Sequence, residues 1–511
     1  MDGDLELTVR GSQDQPQESK IQDETEGEPL LESAVQADCA DTCMKTTRTE
    51  TNELSEVLLL LLLIPSFLSN VAGKMMVPVL PWFAKNQLHA STTEIGSLAA
   101  AKAFGKLICN VPLGWMVSLF YENNSNSNLD GRSLLPIVLA CLILASAYAV
   151  AGFTTTATGF LAFRLWEGAG WSLWVLGRQT LLNELTTKEN RGRYMATLGG
   201  VGRIASVFGP YLGGFVATKS KAQWSFWCQA VLMVFNAAVV LGIKLWVNQN
   251  VTHQHPNGYT AAETSEVEAN ESQCKSIQED GRNHDGDNDA FATANGKPND
   301  PSSNMSWLEL LRRHGWILMA LAVFGFFASI VREARHLLFP LQAMEIGYDA
   351  HTIGIMTSIT FLVDSAMFPV AGYLADCHGR KYSGIPALVI MGLSSASVPA
   401  LTKIYPTSIT ALTLASAGFG LGNGLSSGLL MSMAGDASPS RGQDRAKFLA
   451  LFRTCTDAGL LLGPWVSGIL ADHFSVSVGF QVVAGVAAAG ALWMALVIPE
   501  TARPSADGHG S

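Results

Sequence analysis

Charge is scarce in this sequence. Only 15% of its 511 residues are Asp, Glu, Lys or Arg, against about a quarter in a soluble domain. Much of that charge is confined to residues 1–55 and 248–305. The shortage excludes a string of soluble domains, the usual reading of a chain this long. No basic run is present, so no nucleic-acid partner is expected. The net charge of -10 comes largely from the acidic N-terminal stretch and the central polar segment. The eight cysteines, Cys39, Cys43, Cys109, Cys141, Cys228, Cys274, Cys377 and Cys455, show no zinc-ligand or redox spacing, so free thiols and no metal are expected. Met1 is followed by Asp2, Asp4 and Glu6, unlike a signal or transit peptide. No nucleophile–base pair or nucleotide loop stands out, so neither an enzyme nor a cofactor is expected.

What fills the chain instead is apolar. Stretches of about 20 residues, enough to span a bilayer core as a helix, alternate with short polar breaks. Lipid offers no partner to a bare backbone, so spanning segments are helices or closed barrels, and these runs are too long for barrel strands. Spans are predicted over 56–84, 92–120, 132–153, 156–185, 191–218, 222–247, 312–342, 350–376, 382–403, 407–436, 443–472 and 476–498. The expected fold is an all-α membrane protein with twelve transmembrane helices in two six-helix bundles, 56–247 and 306–499. A disordered acidic cytosolic tail (1–55), a disordered linker (248–305) and a second tail (500–511) flank them. Short loops on one side hold Arg132, Lys188, Arg191, Arg193, Arg380, Lys381, Arg441 and Arg445, and those on the other hold Lys85, Lys219, Lys221 and Lys403. The bias puts both tails and the linker in the cytosol, so the sequons at Asn123, Asn250, Asn270 and Asn304 stay unmodified.

The two halves repeat. Gly372 and Asp376 lead to Gly379-Arg380-Lys381, and Gly114 and Ser118, at the same spacing, lead to Gly131-Arg132. Arg191 precedes Gly209-Pro210-Tyr211-Leu212-Gly213-Gly214 as Arg445 precedes Gly463-Pro464-Trp465-Val466-Ser467-Gly468. At that same offset Gly168 matches Gly422 and Gly170 matches Gly424. Duplicated six-helix units are a transporter architecture, with the site between the halves near the midplane.

These residues resemble the major facilitator superfamily, in its twelve-helix drug:proton antiporter type, over nearly all of 56–499. The run Gly372-Tyr373-Leu374-Ala375-Asp376-Cys377-His378-Gly379-Arg380-Lys381 resembles the loop signature between the family's eighth and ninth helices. Its first-half copy has Ser118 in place of the acid and a longer loop. In the family that copy locks the outward-facing state. Arg164 with Gly168 and Gly170 resembles the fourth-helix motif, whose Arg is implicated in proton transfer, and Glu167 stands where Gln is common. The run ending Gly209-Pro210-Tyr211-Leu212-Gly213-Gly214 resembles the fifth-helix motif of proton-driven antiporters, with Ala196 and Ala205 at two positions usually glycine. Close helix packing by small residues explains the same pattern without transport. Antiport and symport or uniport both stay open.

Ionisable residues at bilayer depth are costly and are functional candidates. Lys106 lies twelve positions before Ser118, Asp364 twelve before Asp376, Arg203 twelve after Arg191 and Asp457 twelve after Arg445. Twelve residues rise ~18 Å, which sets all four near the middle of a ~30 Å core. Each base is matched by an acid in the other half. The family resemblance sets the second span facing the eleventh and the fifth facing the eighth. It thus implies two pairs, Lys106 with Asp457 and Arg203 with Asp364, acting as an interdomain gate or proton-coupling pairs. Static pairs that merely hold the bundle are the other reading.

The seventh span carries Arg332, Glu333, Arg335 and His336. Arg332 and Arg335 share a face, and in the family the first, fourth, seventh and tenth helices line the cavity. Two guanidiniums there suit a carboxylate or phosphate. At the span's outer end they would instead snorkel. Lys74 falls opposite Glu333 in the repeat, so a pair bridging the cavity is expected. Lys102 is one turn from Lys106, and Arg453 one turn from Asp457. Bases outnumber acids at depth, which favours anionic or polar substrates. Trp166, Trp171 and Trp174 are candidate stacking surfaces or packing residues. Glu26, Leu30 and Leu31 resemble an acidic dileucine signal read by a sorting adaptor, which directs a protein to endosomes, lysosomes or a vacuole; the plasma membrane is the other location. The expectation is a monomeric secondary transporter of a small organic solute, coupled to protons. Its competitors are a symporter or uniporter of an organic anion and a non-transporting receptor or scaffold.

Overall fold

The computed structural model describes residues 57, 59–122, 134–186, 191–253, 306–439 and 442–499. Glu26, Leu30 and Leu31 lie outside these residues, as does most of 248–305. Among the described residues there are thirteen helices and no strand: α1 (Leu63–Asn86), α2 (Thr92–Glu122), α3 (Leu135–Ala151), α4 (Ala157–Leu185), α5 (Arg191–Lys219), α6 (Gln223–His253), α7 (Trp307–Ile346), α8 (Ala350–Cys377), α9 (Arg380–Ile404), α10 (Ile409–Leu425), α11 (Leu429–Ala437), α12 (Gly442–His473) and α13 (Val476–Leu496).

Local chemistry sets several of the ends. Thr156 accepts from the Gly159 N–H ahead of α4, and Ser408 and Ser475 do the same for Ala411 and Val478 ahead of α10 and α13. Asp349 accepts from the Thr352 N–H ahead of α8. Each satisfies a backbone donor that the first helical turn leaves orphaned. Gly347 ends α7 at φ +101°, a left-handed cap.

The structure departs from the sequence reading in three places. The predicted tenth span, 407–436, is two helices, broken at 426–428. Gly428 has φ +76°, which favours glycine. The Ser426 carbonyl that the break frees is taken by Arg332 at 2.8 Å. A broken backbone at this depth is tolerated only where protein satisfies it. Second, α6 runs to His253, six residues into the expected linker. Third, α7 begins at Trp307 rather than near 312, because amphipathic turns ahead of the apolar run continue the helix.

Among the described residues, six helices are long and apolar enough to cross a membrane by length and composition: those spanning Leu59–Asn86, Gln223–Gln249, Trp307–Ile346, Ala350–Ala375, Arg380–Ile404 and Val476–Leu496. Helices α2, α4, α5 and α12 run 29 to 32 residues but interrupt their apolar character with Lys102, Lys106, Arg164, Glu167, Arg203 and Asp457.

Packing repeats between the halves. In the first, α1 packs on α5, α2 on α4 and α3 on α6; in the second, α7 packs on α12, α8 on α10 and α9 on α13. Two principal seams join the halves, α2 with α12 and α5 with α8, with lesser contacts of α1 on α7 and α8. The aromatic packing repeats as well. Phe83 meets Phe226 edge-on at 5.0 Å, and Phe339 meets Phe480 edge-on at 4.9 Å. One register differs from the sequence match. A Cβ on Gly168 would strike the α2 backbone at Lys102 and Lys106, and one on Gly424 would strike the α8 backbone at Asp364. Gly170 and Gly422 instead turn to the side chains of α3 and the backbone of α9. Lys102 matches Thr360 in the repeat, and a Cβ on Gly420 would strike the Thr360 carbonyl, so packing pairs Gly168 with Gly420, two residues from the sequence pairing with Gly422.

Candidate functional site

The seams are tight at the end of the bundle that carries the 87–91, 220–222, 347–349 and 474–475 connections. Gly96 and Gly468 face each other there, each leaving room for the other's Cα within 3 Å of its missing Cβ. The Thr93 hydroxyl donates to Asp472 at 2.7 Å. On the other seam the His351 N–H donates to Thr218 at 3.0 Å. Gly214 faces the Ala350 carbonyl and Gly354 the Pro210 carbonyl. At the opposite end, Gly114, Gly199, Gly200 and Gly372 have no such neighbour within 4 Å among the described residues. The helices thus converge at one end and part at the other.

A cavity of about 300 Å³ lies between the halves, lined among others by Lys74, Lys102, Lys106, Arg164, Trp171, Glu333 and His336. Three charged clusters surround it. In the first, Glu167 is fully buried. It pairs with Arg164, with Lys102 at 2.9 Å and with the Tyr148 hydroxyl at 3.2 Å. Arg164 also donates to the Leu98 carbonyl at 3.0 Å, and the Lys102 ammonium sits 4.7 Å from the centre of the Trp171 ring.

The second cluster centres on Asp364 of α8. Arg203 of α5 reaches it at 2.8 Å, Asn423 of α10 donates to it at 2.6 Å and Arg335 of α7 stands 3.5 Å away. The third centres on Asp457 of α12. Lys106 of α2 stands 3.7 Å from it and Arg453 4.0 Å. The Asp457 Oδ2 is buried and has no hydrogen-bond partner among the described residues. Both cross-seam pairs that the family resemblance implied are therefore in contact, one as a hydrogen-bonded ion pair and the other at looser range.

Other candidates sit differently from expectation. Arg332 and Arg335 do not line the cavity and do not snorkel. Their shared face turns into the second half: Arg332 to the Ser426 carbonyl and hydroxyl, at 2.8 and 2.7 Å, and Arg335 to Asp364. The broken tenth span and the buried carboxylate draw them there. Glu333 and His336, on the next face of the same helix, take the cavity side. Lys74 and Glu333 both line the cavity, but among the described residues no ion pair joins them; the Lys74 ammonium instead lies 4.8 Å from the Phe361 ring centre. Of the three tryptophans only Trp171 lines the cavity, since Trp174 is buried and Trp166 is half exposed on the outer surface.

The glycine motifs serve packing. Gly209 and Gly213 bring α5 against α1 at Lys74 and Met75, and Gly214 with Pro210 bring it against α8. Gly379 has φ +109° at the start of α9, which requires glycine. Arg380 pairs with Asp436 of α11 at 3.2 Å, and Lys381 donates to the Ala495 carbonyl at 3.1 Å. The side chain of Asp376 lies outside the described residues. Tyr148 and Asn423 were not singled out from the sequence. The only signal for either was a lone polar group inside an apolar run.

The Major Facilitator Superfamily model matches residues 62–341 and again 334–510. The chain belongs to the Major Facilitator Superfamily. It is an integral, multi-pass membrane protein of that superfamily. Among characterised superfamily relatives it resembles the MFS-type transporter patC of Penicillium expansum, 27% identical over 27% of this chain and 24% of the relative. It also resembles the bacillibactin exporter of Bacillus subtilis, 26% identical over 26% of this chain and 34% of the relative. The multi-drug resistance efflux pump PmrA homolog of Lactococcus lactis is 24% identical over 33% of this chain and 41% of the relative. The chain thus matches less than half the length of each. Among solved structures, the nucleoside transporter NupG superposes with a TM-score of 0.58 at 15% identity, covering 86% of this chain and 98% of that one. That likeness establishes the superfamily fold.

Proposed function

We propose that this protein is a secondary transporter that exports a small organic solute from the cytosol by alternating access, in exchange for protons. The observation that carries the reading is the polar seam. Two acids of the second half contact bases of the first across the two seams, beside a cavity whose helices converge at one end. A scaffold has no use for charges kept at this depth, where each is costly.

With both tails cytosolic, the open end faces the cytosol and the converged end faces outward. The halves 56–247 and 306–499 then rock about the two seams. Proton exchange needs an acid whose charged state is only weakly held. Asp457 is that acid, since its pairing is long and one oxygen lacks a donor. Its protonation releases Lys106 and loosens the α2–α12 seam, while Asp364 keeps its contacts with two guanidiniums and an amide. Glu167, held by Arg164 and Lys102, orients the fourth-helix side of the cavity. The relatives' printed names, exporter and efflux pump among them, favour export over uptake.

The test is flux in proteoliposomes. Full-length protein is reconstituted with a pH-sensitive dye in an acidified lumen, and a panel of small carboxylates, amides and amines is added outside. Export exchange is expected as protein-dependent alkalinisation by at least one solute class. Solute flux unchanged by the pH gradient would refute proton exchange, and absence of any protein-dependent flux would refute transport.

A further inference from the structure

The charge balance around the cavity is unequal, and the inequality is systematic. Glu167 serves both Lys102 and Arg164. Asp457 serves both Lys106 and Arg453. Asp364 serves both Arg203 and Arg335. Each buried acid is thus shared by two bases, and each cluster carries an excess positive charge. Lys74 adds to this. It lines the cavity, and among the described residues no carboxylate lies within ion-pair distance of it; its stem is held against α5, where a Cβ on Gly209 would strike the Lys74 Cβ. Uncompensated positive charge at bilayer depth is costly unless a counter-charge arrives.

We infer that the cavity binds a small organic anion whose acid group is received by Lys74, with Lys102 and Lys106 flanking it. This rests on the transport reading above and names the class of its solute. The neutral body of the solute fits the apolar part of the wall, which includes Met76, Val77, Leu80 and Leu337. Lysine presents a compact point charge rather than the planar fork of arginine, so the site accepts carboxylate or sulfonate without demanding two-pronged geometry. A cationic solute would meet four bases on the wall, Lys74, Lys102, Lys106 and Arg164, against the single cavity-lining acid Glu333.

The experiment uses purified full-length protein and three matched probes: naphthalene-2-carboxylate, its amide and naphthalen-2-ylmethylamine. Equilibrium binding is measured for wild type, Lys74→Gln and Lys74→Arg, with thermal stability recorded to confirm that each folds. The carboxylate is expected to bind about tenfold or more tighter than the amide, with the amine weakest. Lys74→Gln is expected to remove that preference, and Lys74→Arg to restore most of it. Equal or tighter binding of the amide or amine overturns the inference, as does failure of the carboxylate to bind. Unchanged acid preference in a folded Lys74→Gln does so too. Flux on the same probes separates this from the transport reading. An amine that binds and moves protons leaves transport intact and sinks the anion assignment, whereas an acid that binds without any flux does the reverse.

Discussion

At the α5–α8 seam, Asp364 has Arg203 at 2.8 Å, Asn423 at 2.6 Å and Arg335 at 3.5 Å. At the α2–α12 seam, Asp457 has Lys106 at 3.7 Å and Arg453 at 4.0 Å, and its Oδ2 finds no hydrogen bond among the described residues. Both carboxylates are buried. They differ in how completely the protein compensates them. Three close donors hold Asp364 in its seam, and loss of its charge would weaken all three contacts. Asp457 is held by longer contacts, and on the transport reading proposed above it is the acid that exchanges the proton. Burial alone does not separate a structural pair from a coupling pair; the number and length of the contacts does.

The sharpest way to break this comparison is to delete each acid. Asp364→Ala leaves the buried Arg335 and the partly exposed Arg203 without their carboxylate and is expected to cost about 3 kcal/mol, read as a large drop in melting temperature and purified yield. Asp457→Ala is expected to cost about 1 kcal/mol, nearer the range of a weak pair. Equal losses would remove the distinction. A smaller effect sharpens the geometry. Gly214→Val places a side chain against the Ala350 carbonyl across the converged end of the α5–α8 seam. It is expected to shift the population away from this state by about tenfold, or 1.4 kcal/mol, read as a longer spin-label distance between α5 and α8 at that end. Smaller again is Asp349→Ala, which removes the α8 cap beside the same seam and should cost about 1 kcal/mol. Burial pushes the Asp349 carboxyl up, but the Thr352 hydroxyl and N–H outweigh this and hold it below the usual carboxylate range. Its contribution is therefore complete above about pH 4 and fades as the pH falls through the lower folded value. Thermal melts of wild type and variant should converge in acid.

Much of the helical pattern was legible because apolar length and polar breaks are both strong signals. The contact of Lys106 with Asp457, and of Arg203 with Asp364, was legible for a different reason. The internal repeat placed four charges at one depth, and the family resemblance said which spans face. What failed depended on turns and rotations that periodicity does not encode. Ser426, Ser427 and Gly428 read as ordinary small residues of a span, so the break and its capture of Arg332 were invisible. A one-face reading of Arg332 and Arg335 was right about their neighbourhood and wrong about its direction, because a single helix does not reveal which neighbour it faces. The match of Gly168 to Gly422 missed by two residues because glycine spacing repeats along one helix. Tyr148 and Asn423 escaped because neutral polar residues carry no sign to pair.

The central claim is that Asp457, and not Asp364, exchanges the proton. It is tested most directly by Asp457→Asn in proteoliposomes, comparing solute accumulation driven by a pH gradient with solute exchange when no gradient is present. The account predicts that exchange persists while gradient-driven accumulation is lost. Accumulation that survives in Asp457→Asn would contradict it.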